Sequence, residues 1–317
     1  QNKAAVTVLQ NKAKKSKINI YPIAAVTRDC KGEELTEMYD LHLAGAIAFS
    51  DGLKTIQHNG VLINALNYIK SFEGTLIHFP QDSYLSNGGQ MHEGYISTLL
   101  GLKGIPTIAE KITIQRDLAL LEYTNSNLCL FGISSKEAIQ TIKASKAKSL
   151  QSIVPYLNLI FHDSRIGGFD SQFKVSPPLR EKTDQDELIK GLKDHTITAI
   201  ASNHYPLEDE VKNLEFPYAK FGASGIETVF SALITYTKGK IPLDIIIQKL
   251  TTGPRSILGI DQVTIDEGRT AELTLFDPDL EWTFATSKST SKNNPFLGQT
   301  LKGKVIGTLV SNSYYAN

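Results

Sequence analysis

Four short segments of this chain hold the side chains that could do chemistry. GTLIHFP at 74–80 places His78 at the end of an apolar run, AFSDGL at 48–53 carries Asp51, ASNHYPL at 201–207 carries His204, and VSPPLR at 175–180 carries Arg180. Histidine nitrogens and carboxylate oxygens at the ends of buried strands are the groups that hold a metal ion and activate a water molecule. A lone histidine in an apolar strand is also a satisfied core group, and both readings stand for His78. His204, with an amide rather than an acid beside it, reads as a hydrogen-bonded histidine. Arg180 reads as an anion contact or, in the structural sense we favour, as a partner for Glu181 and Asp184 in the next helix. His162 with Asp163, and Asp209 with Glu210, read as solvated loop charges; His42 and His195 sit on helical stretches, His58 and His92 in polar helix or loop contexts.

The elements that must position these groups alternate in a regular way. Apolar β-branched runs at 18–27, 44–50, 74–80, 127–133, 152–161 and 198–203 read as buried parallel strands. Amphipathic helical patterns lie among them at 60–74, 109–124 and 183–195. So many strand and helix units in one domain predict a closed α/β barrel rather than a doubly wound sheet, since no glycine-rich phosphate loop follows the first strand. Past residue 260 the pattern becomes short alternating strands, with a polar loop at 285–294. We expect a barrel over 1–260 and small C-terminal β-sandwich strands over 261–317. Residues 1–17 read as a helix without a cap before it, which carries the expectation that an N-terminal portion is missing.

Several segments together resemble the dihydroorotase family of metal-dependent amidohydrolases: AFSDG, EGYISTLLGLKGIPTIAE at 93–110, VSPPLR, ASNHYP, GASGIET at 222–228, TTGPRSILGI at 251–260, EGRTAELTLFDPDLEW at 267–282 and SKNNPFLGQTLKGKV at 291–305. Their order and spacing match the family nearly end to end. The resemblance implies an amidohydrolase (β/α)8 barrel of TIM type with a small β-sandwich, lacking here the first strand and its HxH metal ligands. It implies hydrolysis of the cyclic amide of dihydroorotate to N-carbamoyl-aspartate, in pyrimidine biosynthesis, at a zinc centre.

Carried over residue by residue, the resemblance splits. His78 stands at a ligand histidine and Asp51 at an acid ligand, although the second acid of that motif is Gly52. Gly132 replaces a ligand histidine, Asn203 the aspartate that is both metal ligand and general base, and Leu207 a further histidine. Toward substrate, Asn158 takes a histidine position and Ser176 an asparagine position, while Ala223 and Gly225 offer backbone to a flat ring. Ligand counting then gives one zinc ion at most, and no catalytic residue intact.

Bulk properties agree with a small-molecule partner. Lysine plus arginine equal aspartate plus glutamate at 33 each, so no charge excess points to nucleic acid or an anionic membrane. Cys30 and Cys129 form no motif, which fits a reducing cytoplasm, and no apolar stretch approaches the ~20 residues of a membrane span. Three readings follow: a dihydroorotase-family protein with weak or lost turnover; a noncatalytic subunit that keeps its barrel for assembly, as a homodimer or with aspartate transcarbamoylase; and an active hydrolase of altered substrate, using one metal on His78, Asp51 and the first strand expected before residue 1.

Overall fold

The computed structural model describes residues 2–311 and 313–316. Strands β1 (Ile23–Ala24), β2 (Ala48–Phe49) and β3 (Thr75–His78) open the main sheet; β4 (Met91–His92) and β5 (Gly104–Ile105) form a separate parallel pair. The main sheet continues with β6 (Asn127–Phe131), β7 (Leu150–Pro155) and β8 (Ala199–Ala201), in the order β1-β2-β3-β6-β7-β8 with every pairing parallel. The expected parallel barrel is thus present as an arc of sequential strands that is open between β1 and β8 among the described residues. At the other end of the chain β9 (Glu272–Thr283), β10 (Thr300–Val310) and β11 (Ser313–Ala316) make one antiparallel sheet in the order β11-β10-β9.

Helices α1 (Lys3–Ala13), α2 (Met38–Leu43), α3 (Asn59–Lys70), α4 (Tyr95–Leu100), α5 (Thr107–Thr124), α6 (Lys136–Ala144), α7 (Tyr156–Ile160) and α8 (Lys182–Lys193) accompany the strands. They are followed by α9 (Asp209–Lys212), α10 (Val229–Tyr236), α11 (Leu243–Leu250) and α12 (Thr252–Leu258). Caps define several of them. The Ser135 hydroxyl accepts from the Ala138 amide at 3.2 Å to begin α6, and Glu181 with Asp184 closes a capping box on α8. Helix α1 corrects the sequence reading, because Asn2 caps it by accepting from the Ala5 amide at 2.9 Å.

Alternation along the strands sorts side chains onto two faces. Leu76, Leu128, Leu130, Val154 and Ile200 pack into the large core shared with the helices, whereas Ala48, Ile77, Cys129 and Ala199 form a second cluster with Ile257 of α12. One strand ends earlier than its apolar run predicts. Pro155 cannot donate to a ladder, and the chain turns directly into α7, so Asn158 lies on a helix and not on a strand. The 285–294 loop also departs from a solvated one: Asn293 and Asn294 are buried, and Asn293 Nδ2 donates to Tyr205 O at 2.9 Å. No helix among the described residues is long and apolar enough to cross a membrane.

Candidate functional site

The C-terminal ends of β2, β3 and β8 open on a cavity of about 690 Å³, the place where a parallel α/β sheet presents its site. Asp29, Asp51, Lys54, Gln90, Ser176 and Tyr205 are among its lining residues. Of the residues predicted from sequence, Asp51 and Ser176 reach this wall; His78, Gly132, Asn158, Asn203, Leu207, Ala223 and Gly225 are not among the residues that line it.

Asp51 is buried and its carboxylate is already occupied. Oδ1 accepts from the Val26 and Thr27 amides, both at 2.9 Å, and Oδ2 accepts from the Thr27 hydroxyl at 2.5 Å. These bonds tie the end of β2 to the loop after β1. His78 is occupied as well: Nε2 accepts from the Ile56 amide at 3.0 Å, so Nδ1 carries the proton and donates to Asp117 Oδ2 at 2.6 Å. An aspartate behind Nδ1 is how proteins orient a metal-binding histidine. Here the lone pair that such a metal would take faces a backbone amide, and Arg116 holds the other oxygen of Asp117 at 2.7 Å. The alternation of β3 explains the direction: His78 shares the parity of Leu76, which faces the helices, and not that of Ile77.

At the remaining positions the backbone is packed against its own chain. Gly132 has φ +87°, and a Cβ there would lie 2.8 Å from the Phe79 ring, so aromatic carbon fills the space a side chain would need. A Cβ on Gly225 would meet the Tyr156 ring at 2.7 Å, which means that its close approach is to Tyr156 and not to open space. Ala223 is buried and bridges His204, whose Nδ1 accepts from the Gly225 amide at 3.1 Å. Asn203 Nδ2 donates to Ser176 O at 2.9 Å, a bond that needs an amide and that a carboxylate cannot make. Asn158 Nδ2 donates to Pro178 O at 2.8 Å while its Oδ1 is buried without a partner, and the Leu207 backbone is held by Ser291 and Asn293. The donor set therefore does not fit a two-zinc centre.

Other polar groups carry more of the electrostatics than the sequence suggested. His92 is buried in β4, Asp163 is buried too, and with Glu181 they bring one ligand-type atom each within 4.8 Å of one another. Arg180 decides what this group can do. Its Nη1 approaches His92 Nδ1 at 3.2 Å and donates to Ile105 O at 2.7 Å, so His92 accepts at Nδ1 and its proton sits on Nε2, toward Glu181. Burial, then the guanidinium, lower the His92 pKa to about 4, and with Nδ1 accepting from Arg180 and the proton on Nε2 the imidazole has no lone pair left for a metal. Arg180 itself is structural, as expected, but its buried partner is Glu110, with Nη2 3.5 Å from Oε2, and Nε donates to the Ser134 hydroxyl at 3.1 Å. Cys30 lines the cavity, yet burial and the nearby Asp51 raise its thiol pKa, which leaves no thiolate nucleophile.

Sequence reading missed Glu110 and Asp117, although a signal existed. Both lie on the apolar stripe of α5 with Ile114 and Leu121, where a charge implies a buried partner. Lys174 and Lys212 gave no such signal. Both are buried; Lys174 Nζ donates to Phe216 O and Pro217 O at 2.7 and 3.0 Å, and Lys212 Nζ to Lys174 O and Lys220 O, each at 3.1 Å. Burial lowers Lys174 to about 8; burial and then Lys174 lower Lys212 to about 7.

The chain is similar to known proteins over most of its length. The family model described as Dihydro-orotase-like matches residues 1–138. The chain is 38% identical to the dihydroorotase of Acetivibrio thermocellus over 318 aligned positions, covering 98% of this chain and 74% of that protein. It is likewise 38% identical to the dihydroorotase of Pelotomaculum thermopropionicum, with 98% and 74% covered. Among solved structures, the L-hydantoinase (dihydropyrimidinase) of Arthrobacter aurescens superposes with a TM-score of 0.84 at 20% identity, over 98% of this chain and 74% of that one, a likeness of fold.

Proposed function

This chain belongs to the dihydroorotase family, and from that premise we propose that its hydrolysis of the cyclic amide of dihydroorotate is weak or lost, while the cavity at the strand ends remains a small-molecule site. The observation that carries this reading is the state of the ligand positions: Asp51 and His78 are saturated by hydrogen bonds, Gly132 is backed by Phe79, and Asn203 is an amide spent on Ser176 O. Hydrolysis at neutral pH needs a metal-bound or base-activated water, and general base catalysis alone is worth about 10²–10⁴ in rate. Asn203 cannot take a proton. What the chain's own residues can do is bind: Lys54 and the Gln90 amide on the cavity wall suit a ligand with a carboxylate and carbonyl oxygens, such as dihydroorotate.

Turnover of dihydroorotate by the purified protein, with zinc added and then chelated, tests the reading. We expect a rate near background that neither treatment changes; a chelator-sensitive turnover typical of enzymes would refute it. The same saturation favours a second use of the fold, as a noncatalytic subunit assembling with itself or with aspartate transcarbamoylase, for which an ordered barrel suffices. Native mass of the chain alone and mixed with the transcarbamoylase distinguishes these outcomes. We also propose a division near 260, supported by the start of the antiparallel sheet at Glu272.

A further inference from the structure

We propose that a second pocket, at the junction of α8, α10, α11 and the β9–β10 sheet, binds a phosphorylated organic anion. Its volume is about 380 Å³, within the range of small-ligand sites, and it shares no lining residue with the cavity at the strand ends. Lys193, Lys238, Lys240 and Lys302 line it against one acid, Asp279. Lys302 pairs with Glu281 at 3.2 Å, but Lys193, Lys238 and Lys240 have no carboxylate within 4.0 Å among the described residues. The chain's overall formal charge is zero. Four lysines against one aspartate on a single concave wall are therefore a local excess of positive charge.

Two further features narrow the ligand. Helix α11 begins at this wall, with Pro242 as its cap and Leu243 as its first residue, so the free amides and positive end of the helix dipole add to the lysine field. Asp244 in the same first turn opposes that field but is not part of the lining. Between the lysines the wall is apolar, made by Ile234, Ile241 and Ile246 with Pro242 and Pro278. Lysines at the rim and an apolar floor suit a molecule with phosphate at one end and a carbon or ring body at the other. The pocket's bounded size and the neutral remainder of the surface argue against a nucleic-acid track.

Binding of metal-free ATP and of pyrophosphate to the full chain, measured by calorimetry at low and at high salt, tests the proposal. We expect ATP to bind more tightly than pyrophosphate, to weaken with salt, and to lose about tenfold in affinity in Lys238→Glu/Lys240→Glu, in line with two exposed charge contacts. Lys14→Glu/Lys15→Glu, at the exposed end of α1, should bind as the wild type does. Absence of ATP binding, affinities unchanged in the pocket variant, or equal affinities for pyrophosphate and ATP would each overturn it.

Discussion

Placing a side chain at Gly132 tests the account of this site most directly, because the family resemblance puts a histidine there and the tertiary structure opposes it. Two costs act together. Gly132 sits at φ +87°, and holding an L residue in the left-handed region costs about 1–2 kcal/mol. Its Cβ would stand 2.8 and 3.0 Å from two Phe79 ring carbons and 3.4 Å from Pro177 Cδ, and such overpacking typically costs about 1–3 kcal/mol. Gly132→Ala should therefore lose about 2–5 kcal/mol, a large share of the ~5–15 kcal/mol that holds a domain folded. Urea unfolding of Gly132→Ala, Phe79→Ala and the double variant separates the terms, since removing the ring relieves the clash and not the backbone strain. The double variant should be less destabilised than the sum of the singles by about 1–3 kcal/mol. A Gly132→Ala protein within ~0.5 kcal/mol of wild type, or a strictly additive cycle, would refute the reasoning. It follows that Gly132→His with Asn203→Asp does not restore a metal centre, and zinc analysis of that variant should find no gain.

Asn203→Asp alone exchanges a donor for an acceptor opposite Ser176 O and should cost roughly 1–3 kcal/mol in the same unfolding assay, with no gain in turnover. Removing the Glu110 carboxylate leaves the buried Arg180 guanidinium without its counter-ion, so Glu110→Ala should destabilise by about 3–5 kcal/mol; a loss below ~1 kcal/mol would show that Arg180 is solvated. Lys212 and Lys174 have folded pKa values of about 7 and about 8 against an ordinary 10.5, so the unfolded chain binds more protons above pH 7. Stability should then rise from pH 7 toward 10, by up to ~1.4 kcal/mol per pH unit for each lysine, and the rise should be smaller in Lys212→Met. On the acid side His92 stays neutral down to about pH 4 while its unfolded form protonates near 6.5, so stability falls as pH drops through that window, less steeply in His92→Gln.

The sequence alone determined the class of fold and the family. Apolar runs of strand length alternating with amphipathic helices specify a parallel sheet wherever they occur, because each strand buries both faces and each helix buries one. That Gly132, Asn203 and Leu207 carry neither an imidazole nor a carboxylate was equally legible, since a side chain's donor atoms need no coordinates to be recognised. Only tertiary structure decided where the surviving groups point. His78 follows the alternation of β3 onto the helix-facing side, where Ile56 and Asp117 take both ring nitrogens, and Asp51 spends its oxygens on Val26 and Thr27. Partners that lie 22 to 39 positions away in sequence leave no local periodic signature. The same reason hid Lys174 beside Lys212, and the stripe of α5 that marks Glu110 as buried does not name Arg180 as its partner: a buried charge is held by whichever distant donors and acceptors the packed chain brings to it.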